Sequence, residues 1–167
     1  MLELLILDLE QNGVEINSAG QVYAYEAKDS KKNSPIQWVG KDDAILYLDM
    51  DGSGTANVVD EYDFKKRMSG SVNLLNILNL FDTDNDKVLD SSDAFYSKLR
   101  IWTDKNGNGL SEVSENKFLA EIGVVIYVDP AYGVGEERFQ FRVPSLERNH
   151  TDNYVMQGYK VNLKLIK

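Results

Sequence analysis

The stretch Leu80–Glu115, LFDTDNDKVLDSSDAFYSKLRIWTDKNGNGLSEVSE, decides how this chain reads. Asp82, Asp84, Asp86, Asp90 and Asp93 stand at positions 1, 3, 5, 9 and 12 of a loop, and Val88 at position 7 offers a backbone carbonyl. The spacing returns with Asp104, Asn106, Asn108, Glu112 and Glu115, with Gly109 at position 6 and Leu110 at position 7. Alternate residues on a tight loop aim their oxygens at one centre. That is the arrangement by which EF-hand loops surround calcium, which takes about six to eight hard oxygens.

A third segment upstream, DMDGSGTANVVDE, fits as well. Asp49, Asp51 and Ser53 take positions 1, 3 and 5, Gly54 takes 6, Thr55 offers its carbonyl and Asn57 takes 9. The closing carboxylate is Asp60 at 12 or Glu61 at 13, and spacing alone leaves both open. DLEQNGVEINS is a weaker copy: Asp8, Glu10, Asn12 and Gly13 match, Glu15 adds an oxygen, and no acid closes it. Glu26–Ser30 is weaker still, because Lys28 occupies a ligand position. In the Asp82 loop Lys87 stands where glycine is favoured, at a cost of about 1 kcal/mol if its φ is positive. At position 8, where paired loops pack, Leu89 suits the role better than Ala56 or Ser111. Asp, Asn and Gly also dominate ordinary turns. Three such segments within Asp49–Glu115, each with a closing acid, go beyond what turns require.

The balance of charge agrees. The chain carries 27 acidic against 18 basic residues, a net charge of −9, and twelve of the acids lie in the three loops. An acidic chain is a poor partner for nucleic acid or an anionic membrane. No apolar run approaches the ~18 residues of a membrane span, and no secretory signal peptide is visible. There is no cysteine and one histidine, His150, in a polar stretch. Thiolate and imidazole-rich zinc sites are thereby excluded, which leaves oxygen ligands and calcium or magnesium; the loop spacing favours Ca2+, two to three ions.

For the fold, Leu2–Leu7, Val22–Ala27 and Ala44–Leu48 read as short strands, with Lys28–Pro35 a loop. Helices are expected over Asp60–Met68, Ser71–Phe81, Ser91–Lys98 and Ser114–Ile122, the last stopped by Gly123. Strands return at Val124–Val128, Phe139–Val143 and Tyr154–Leu165. The sum is an α+β chain, a single domain over 1–167 with short strands flanking a helical centre that carries the EF-hand-like loops. Trp38 and Trp102 are expected core anchors; Asp42 and Asp43 either cap a turn, the favoured reading, or contribute to the neighbouring loop.

ILDLEQNGVEI, WVGKDDAILYLDMDGSG, the stretch quoted first and LAEIGV together resemble the calcium-binding self-processing module of bacterial RTX proteins of the FrpC type. The likeness runs from about Leu4 to Val128, with Trp38-Val39-Gly40 and Arg100-Ile101-Trp102 at the family spacing. Residues 129–167 align only loosely and form a divergent, β-rich part.

The resemblance implies calcium-triggered cleavage of an Asp–Pro bond at the module's N-terminal edge, after which the aspartyl end can be linked to a lysine amine. Counting back from Asp8, that bond falls on Glu3-Leu4, where neither residue matches. The expectation is that the scissile bond is lacking, or that the chain begins just past it. Asp129-Pro130 reads as a turn. No catalytic residue is therefore assigned, and self-cleavage is less expected than its absence. The main expectation is a module that folds or rigidifies on Ca2+ and belongs to, or derives from, a secreted protein, with a cytoplasmic location as the alternative. A third reading is a binding module that grips another protein through its C-terminal strands. With several Asp closings, affinities of ~10⁻⁵ to 10⁻³ M are expected.

Overall fold

The computed structural model describes residues 2–17, 37–56, 61–64, 74–107, 109–129, 131, 137–143 and 155–163. The expectations for Val22–Ala27, Lys28–Pro35, most of Asp60–Met68, and for Asn57, Asp60, Asn108, Pro130 and His150 lie outside them.

Two segments fix the centre. β1 (Leu2–Asp8) and β4 (Asp43–Leu48) are almost continuously apolar because both of their faces are covered, so neither shows polar alternation. Leu4 and Ile6 of β1, with Ile45 and Tyr47 of β4, point to a cluster with Trp38, Tyr62 and Trp102. Leu5, Leu7, Ala44, Leu46 and Leu48 point the other way, toward Phe64, Phe81 and Phe141. The strands pair antiparallel from Leu5 opposite Leu46 to Asp8 opposite Asp43.

Around this pair an antiparallel sheet of eight strands assembles, in the order β5-β8-β9-β10-β1-β4-β6-β7. The other members are β5 (Val88–Leu89), β6 (Leu99–Thr103), β7 (Asn116–Phe118), β8 (Val125–Tyr127), β9 (Arg138–Arg142) and β10 (Met156–Leu163). A separate two-stranded ladder joins β2 (Ile16–Asn17) to β3 (Trp38–Val39).

The helical centre is therefore a correction: the architecture is mainly antiparallel β. Among the described residues only α1 (Leu74–Phe81) is a helix of two turns, with Leu74, Ile77, Leu78 and Phe81 buried as its periodicity demands. The helix expected over Ser91–Lys98 is a turn and a short 3-10 segment, Tyr96–Lys98. Ala94 and Phe95, which a helix here would turn to one face, are exposed. The chain then enters β6, where Leu99 and Ile101 face α1 while Trp102 faces the opposite cluster. That alternation of period two is easily read as one turn of helix in so short a run. The helix expected over Ser114–Ile122 breaks into a 3-10 turn (Val113–Glu115), β7 and the single turn α2 (Leu119–Ile122). Asn116–Phe118 is drawn into the sheet by pairing with Arg100–Trp102. Gly123 ends α2 at φ 69°, as expected.

The divergent C-terminal part lies inside the sheet. β10 runs beside β1 from Leu2 opposite Leu163 to Leu7 opposite Gly158. Gly158 faces Phe139 of β9, and a Cβ there would lie 2.2 Å from the Phe139 ring. Gly158→Ala is expected to destabilise the protein by about 1–3 kcal/mol, because the buried ring must shift. A thermal melt checks it, and the loss should shrink when Phe139→Leu is added.

Candidate metal centre

The acid-rich loops share one backbone plan. At position 4, Gly52, Asn85 and Gly107 have φ of 72°, 57° and 69°. At position 6, Gly54, Lys87 and Gly109 have φ of 77°, 71° and 71°. Lys87 thus adopts the left-handed conformation despite its side chain. These turns swing the sixth amide back onto the first carboxylate. Gly54 N–H donates to Asp49 Oδ2 at 3.1 Å, Lys87 to Asp82 Oδ2 at 3.0 Å and Gly109 to Asp104 Oδ2 at 2.8 Å.

The closing acids also repeat a contact. Each accepts the amide of the loop's second residue: Glu61 from Met50, Asp93 from Thr83 and Glu115 from Lys105, all at 2.8 Å. In the first loop this contact is made by Glu61 at position 13, and Asp60, the other candidate, lies outside the described residues. Glu61→Gln is expected to weaken calcium at that loop by about tenfold or more, read by calorimetry, since a neutral amide binds a hard cation poorly.

Carboxylates converge in two of the loops. Oxygens of Asp49, Asp51 and Glu61 lie within 4.8 Å of one another, as do those of Asp82, Asp84 and Asp86. Asp51, Ser53, Asp84 and Asp86 are exposed, Thr55, Val88 and Asp90 half-buried, and Asp49, Asp82 and Asp93 buried. Asp82 Oδ1 is buried without a hydrogen-bond partner. Burial, followed by the neighbouring acids and opposed by the Lys87 amide, holds the Asp82 carboxyl above its ordinary range. Ser92 Oγ lies 2.6 Å from both Asp84 Oδ2 and Asp90 Oδ1 and holds those acids together.

In the third loop Asp104 and Glu115 are buried, while Asn106, Leu110 and Glu112 are exposed. Asn106 Nδ2 donates to Glu112 Oε1 at 3.0 Å. The two buried acids connect to both tryptophans: Trp38 Nε1 donates to Asp104 Oδ2 at 2.7 Å and Trp102 Nε1 to Glu115 Oε1 at 3.4 Å. The Trp rings pack tilted at 57° to each other, with centroids 5.4 Å apart. The loop is thus wired into the core.

Sequence reasoning missed two contacts. Arg100 Nε reaches Asp49 Oδ2 at 2.8 Å, placing a positive charge on the first loop's leading acid. Only the β4–β6 pairing brings the two together, so no local pattern signals it. Second, Ala56 N–H donates to Ser111 Oγ at 2.9 Å, joining the first and third loops at their eighth positions. Leu89, the better apolar candidate, instead pairs with Ile126 in the sheet.

The weaker segment adopts the same plan. Gln11 and Gly13 have φ of 54° and 87°, and the Gly13 amide donates to Asp8 Oδ2 at 2.9 Å. Glu10 and Asn12 are exposed, and Asn12 Nδ2 donates to Asp42 Oδ2 at 2.8 Å. The turn expected at Asp42 and Asp43 is present, closed by the Asp43 N–H donating to Gly40 O at 3.3 Å, and Asp43 itself is fully buried at the start of β4.

A family model described as the SPM domain matches residues 5–130. The chain belongs to the SPM domain family. A curated relative, "Iron-regulated protein FrpA" of Neisseria meningitidis serogroup C, is 30% identical over 126 residues, 72% of this chain. The chain spans 11% of that protein's length. The matched SPM region holds all three loops and the Asp8 turn, while β9 and β10, which close the sheet onto β1, lie beyond it.

Proposed function

We propose that this SPM domain is a calcium-binding module that rigidifies, or completes its folding, when two to three Ca2+ ions fill its loops, within a secreted protein of the RTX type. The observation behind this reading is the repeated plan: each first carboxylate is turned by the sixth amide and each closing acid is held by the second. This preorganises hard oxygens around one point while crowding like charges together. Carboxylates within 4.8 Å repel one another, and a divalent cation turns that repulsion into attraction. Arg100 competes at Asp49, so the first loop should be the weakest.

Cleavage at the N-terminal edge is not proposed for this chain. The matching positions are Glu3, whose carboxylate pairs with Lys160 Nζ at 3.1 Å, and Leu4, buried in β1 between two strands. Nor is the grip on another protein by the C-terminal strands: β9 and β10 each have a strand on both sides, and Phe139, Phe141 and Met156 belong to the core.

A calcium titration of metal-stripped protein by calorimetry, with far-UV circular dichroism on the same samples, tests the reading. Two or three ions bound with a gain in order are expected; no binding at millimolar calcium overturns it. Tryptophan emission adds a selective signal, since the chain's two tryptophans both donate to third-loop acids. Asp104→Asn is expected to abolish most of the calcium-dependent emission change while the second loop still binds.

A further inference from the structure

Beside the third loop the sheet carries a hollow of about 370 Å³. Sites for small molecules span about 300–1,000 Å³. Strand register builds its base. Ile101 and Thr103, two apart on β6, project from one face, and Lys117 of β7 stands opposite Ile101 and projects with them. Leu9, after β1, and Ile122 of α2 add apolar wall. Both are partly buried at the margin of the main core, to which Ile101 belongs.

The rest of the lining is dominated by lysine. Lys41, Lys105 and Lys117 border the hollow, and all three are exposed. Among the described residues, none of them makes an ion pair. In a chain with 27 acids against 18 bases, three unpaired cations around one apolar base are unexpected. They repel one another unless an anion joins them. Three acids share the lining. Glu10 is exposed, and Asp42 Oδ2 accepts from Asn12 Nδ2 at 2.8 Å. Glu115 is turned to the third loop, accepting the Lys105 amide at 2.8 Å and the Glu112 amide at 3.2 Å. An ion in that loop would offset the Glu115 charge and leave three lysines against Glu10 and Asp42.

We propose that this hollow binds a small amphipathic carboxylate, with its apolar tail on Leu9, Ile101 and Ile122 and its head among Lys41, Lys105 and Lys117. An excess of one positive charge suits a monoanion, whereas Glu10 and Asp42 would repel a phosphate dianion. The site takes the opposite charge to the loops and uses side chains that none of them needs for a cation. One part rests on the calcium reading: an ion beside Glu115 favours the anion. By linkage the anion then favours the ion by the same factor.

The test is a titration of the full chain with octanoate in saturating calcium, followed by nuclear magnetic resonance. The Ile101 and Ile122 methyls and the three lysine side chains are expected to shift together and saturate at millimolar octanoate. Octanol, with the same tail and no charge, is expected to bind about tenfold more weakly, as is usual when hydrogen bonds to a charged group are lost. Lys105→Gln with Lys117→Gln should weaken octanoate to the same degree, and both side chains are exposed, so the fold is spared. Chelator should weaken octanoate severalfold. Methyls that stay still at millimolar octanoate overturn the site, and so does octanol bound as tightly as octanoate. The Gly54, Lys87 and Gly109 amides report calcium in the same spectra. If they ignore calcium, the loop reading fails while the octanoate shifts still decide the hollow. If they respond and octanoate does not bind, this site alone fails.

Discussion

Millimolar calcium is expected to raise the melting temperature of the chelator-treated protein by up to about 15–30 °C, reached when the sites sit at the tight end of the expected range, ~10⁻⁵ M. An ion held only by the native state stabilises it by about 2.7 kcal/mol at a hundredfold excess over its dissociation constant. Three independent sites give about 8 kcal/mol, and in a domain of this size 1 kcal/mol corresponds to roughly 2–4 °C. The acids lie where this matters: Asp49, Asp82, Asp93, Asp104 and Glu115 are buried, so the apo protein holds their charges out of water. Magnesium should do less, because it demands a tighter octahedron and gives up water reluctantly. Scanning calorimetry with calcium and with chelator decides it, and coincident melts would sink the calcium reading.

Trp102→Ala is expected to cost about 3–5 kcal/mol, the range for removing a large buried aromatic. Trp102 is 1% exposed and packs against Trp38 and Tyr62 at centroid distances of 5.4 and 5.9 Å. Its indole N–H also bonds Glu115, the closing acid of the third loop. The substitution should therefore weaken that loop's calcium as well as lower the melting point. Trp102→Phe separates the effects in part: one aromatic ring stays while the N–H and the rest of the indole are lost, so the melting point should fall less than in Trp102→Ala. A chemical melt in saturating calcium, compared across the two variants, gives the result. Equal losses would mean that the N–H and the rest of the indole, not the retained ring, carry the effect.

Much of the candidate site is legible in the sequence. The place of an acid in a loop is set by short-range spacing, so the positions of Asp82, Asp93, Asp104 and Glu115 follow from counting, and so does the positive φ at Lys87. The two-sided strands β1 and β4 are equally plain, because an uninterrupted apolar run bounded by turn residues suits a strand covered on both faces. β8, β9 and β10 are visible for related reasons. The helical centre fails because β6, β7 and the 3-10 turns are too short for periodicity to separate two from 3.6. Leu99–Thr103 becomes a strand because β4 offers it an edge on one side and Asn116–Phe118 completes it on the other.

What the sequence by itself determined is where the oxygens cluster and which runs are apolar, since both depend on residues near one another along the chain. What only the tertiary structure decided is which distant groups meet them. The Met50 amide meets Glu61 beside the first loop, and Arg100 arrives at Asp49 from the next strand. Trp38 and Trp102 tie the third loop to the core, and Asp43 comes to face Asp8. In each case the partner is supplied by strand register, which is set by burial over the whole sheet and leaves no trace in local spacing.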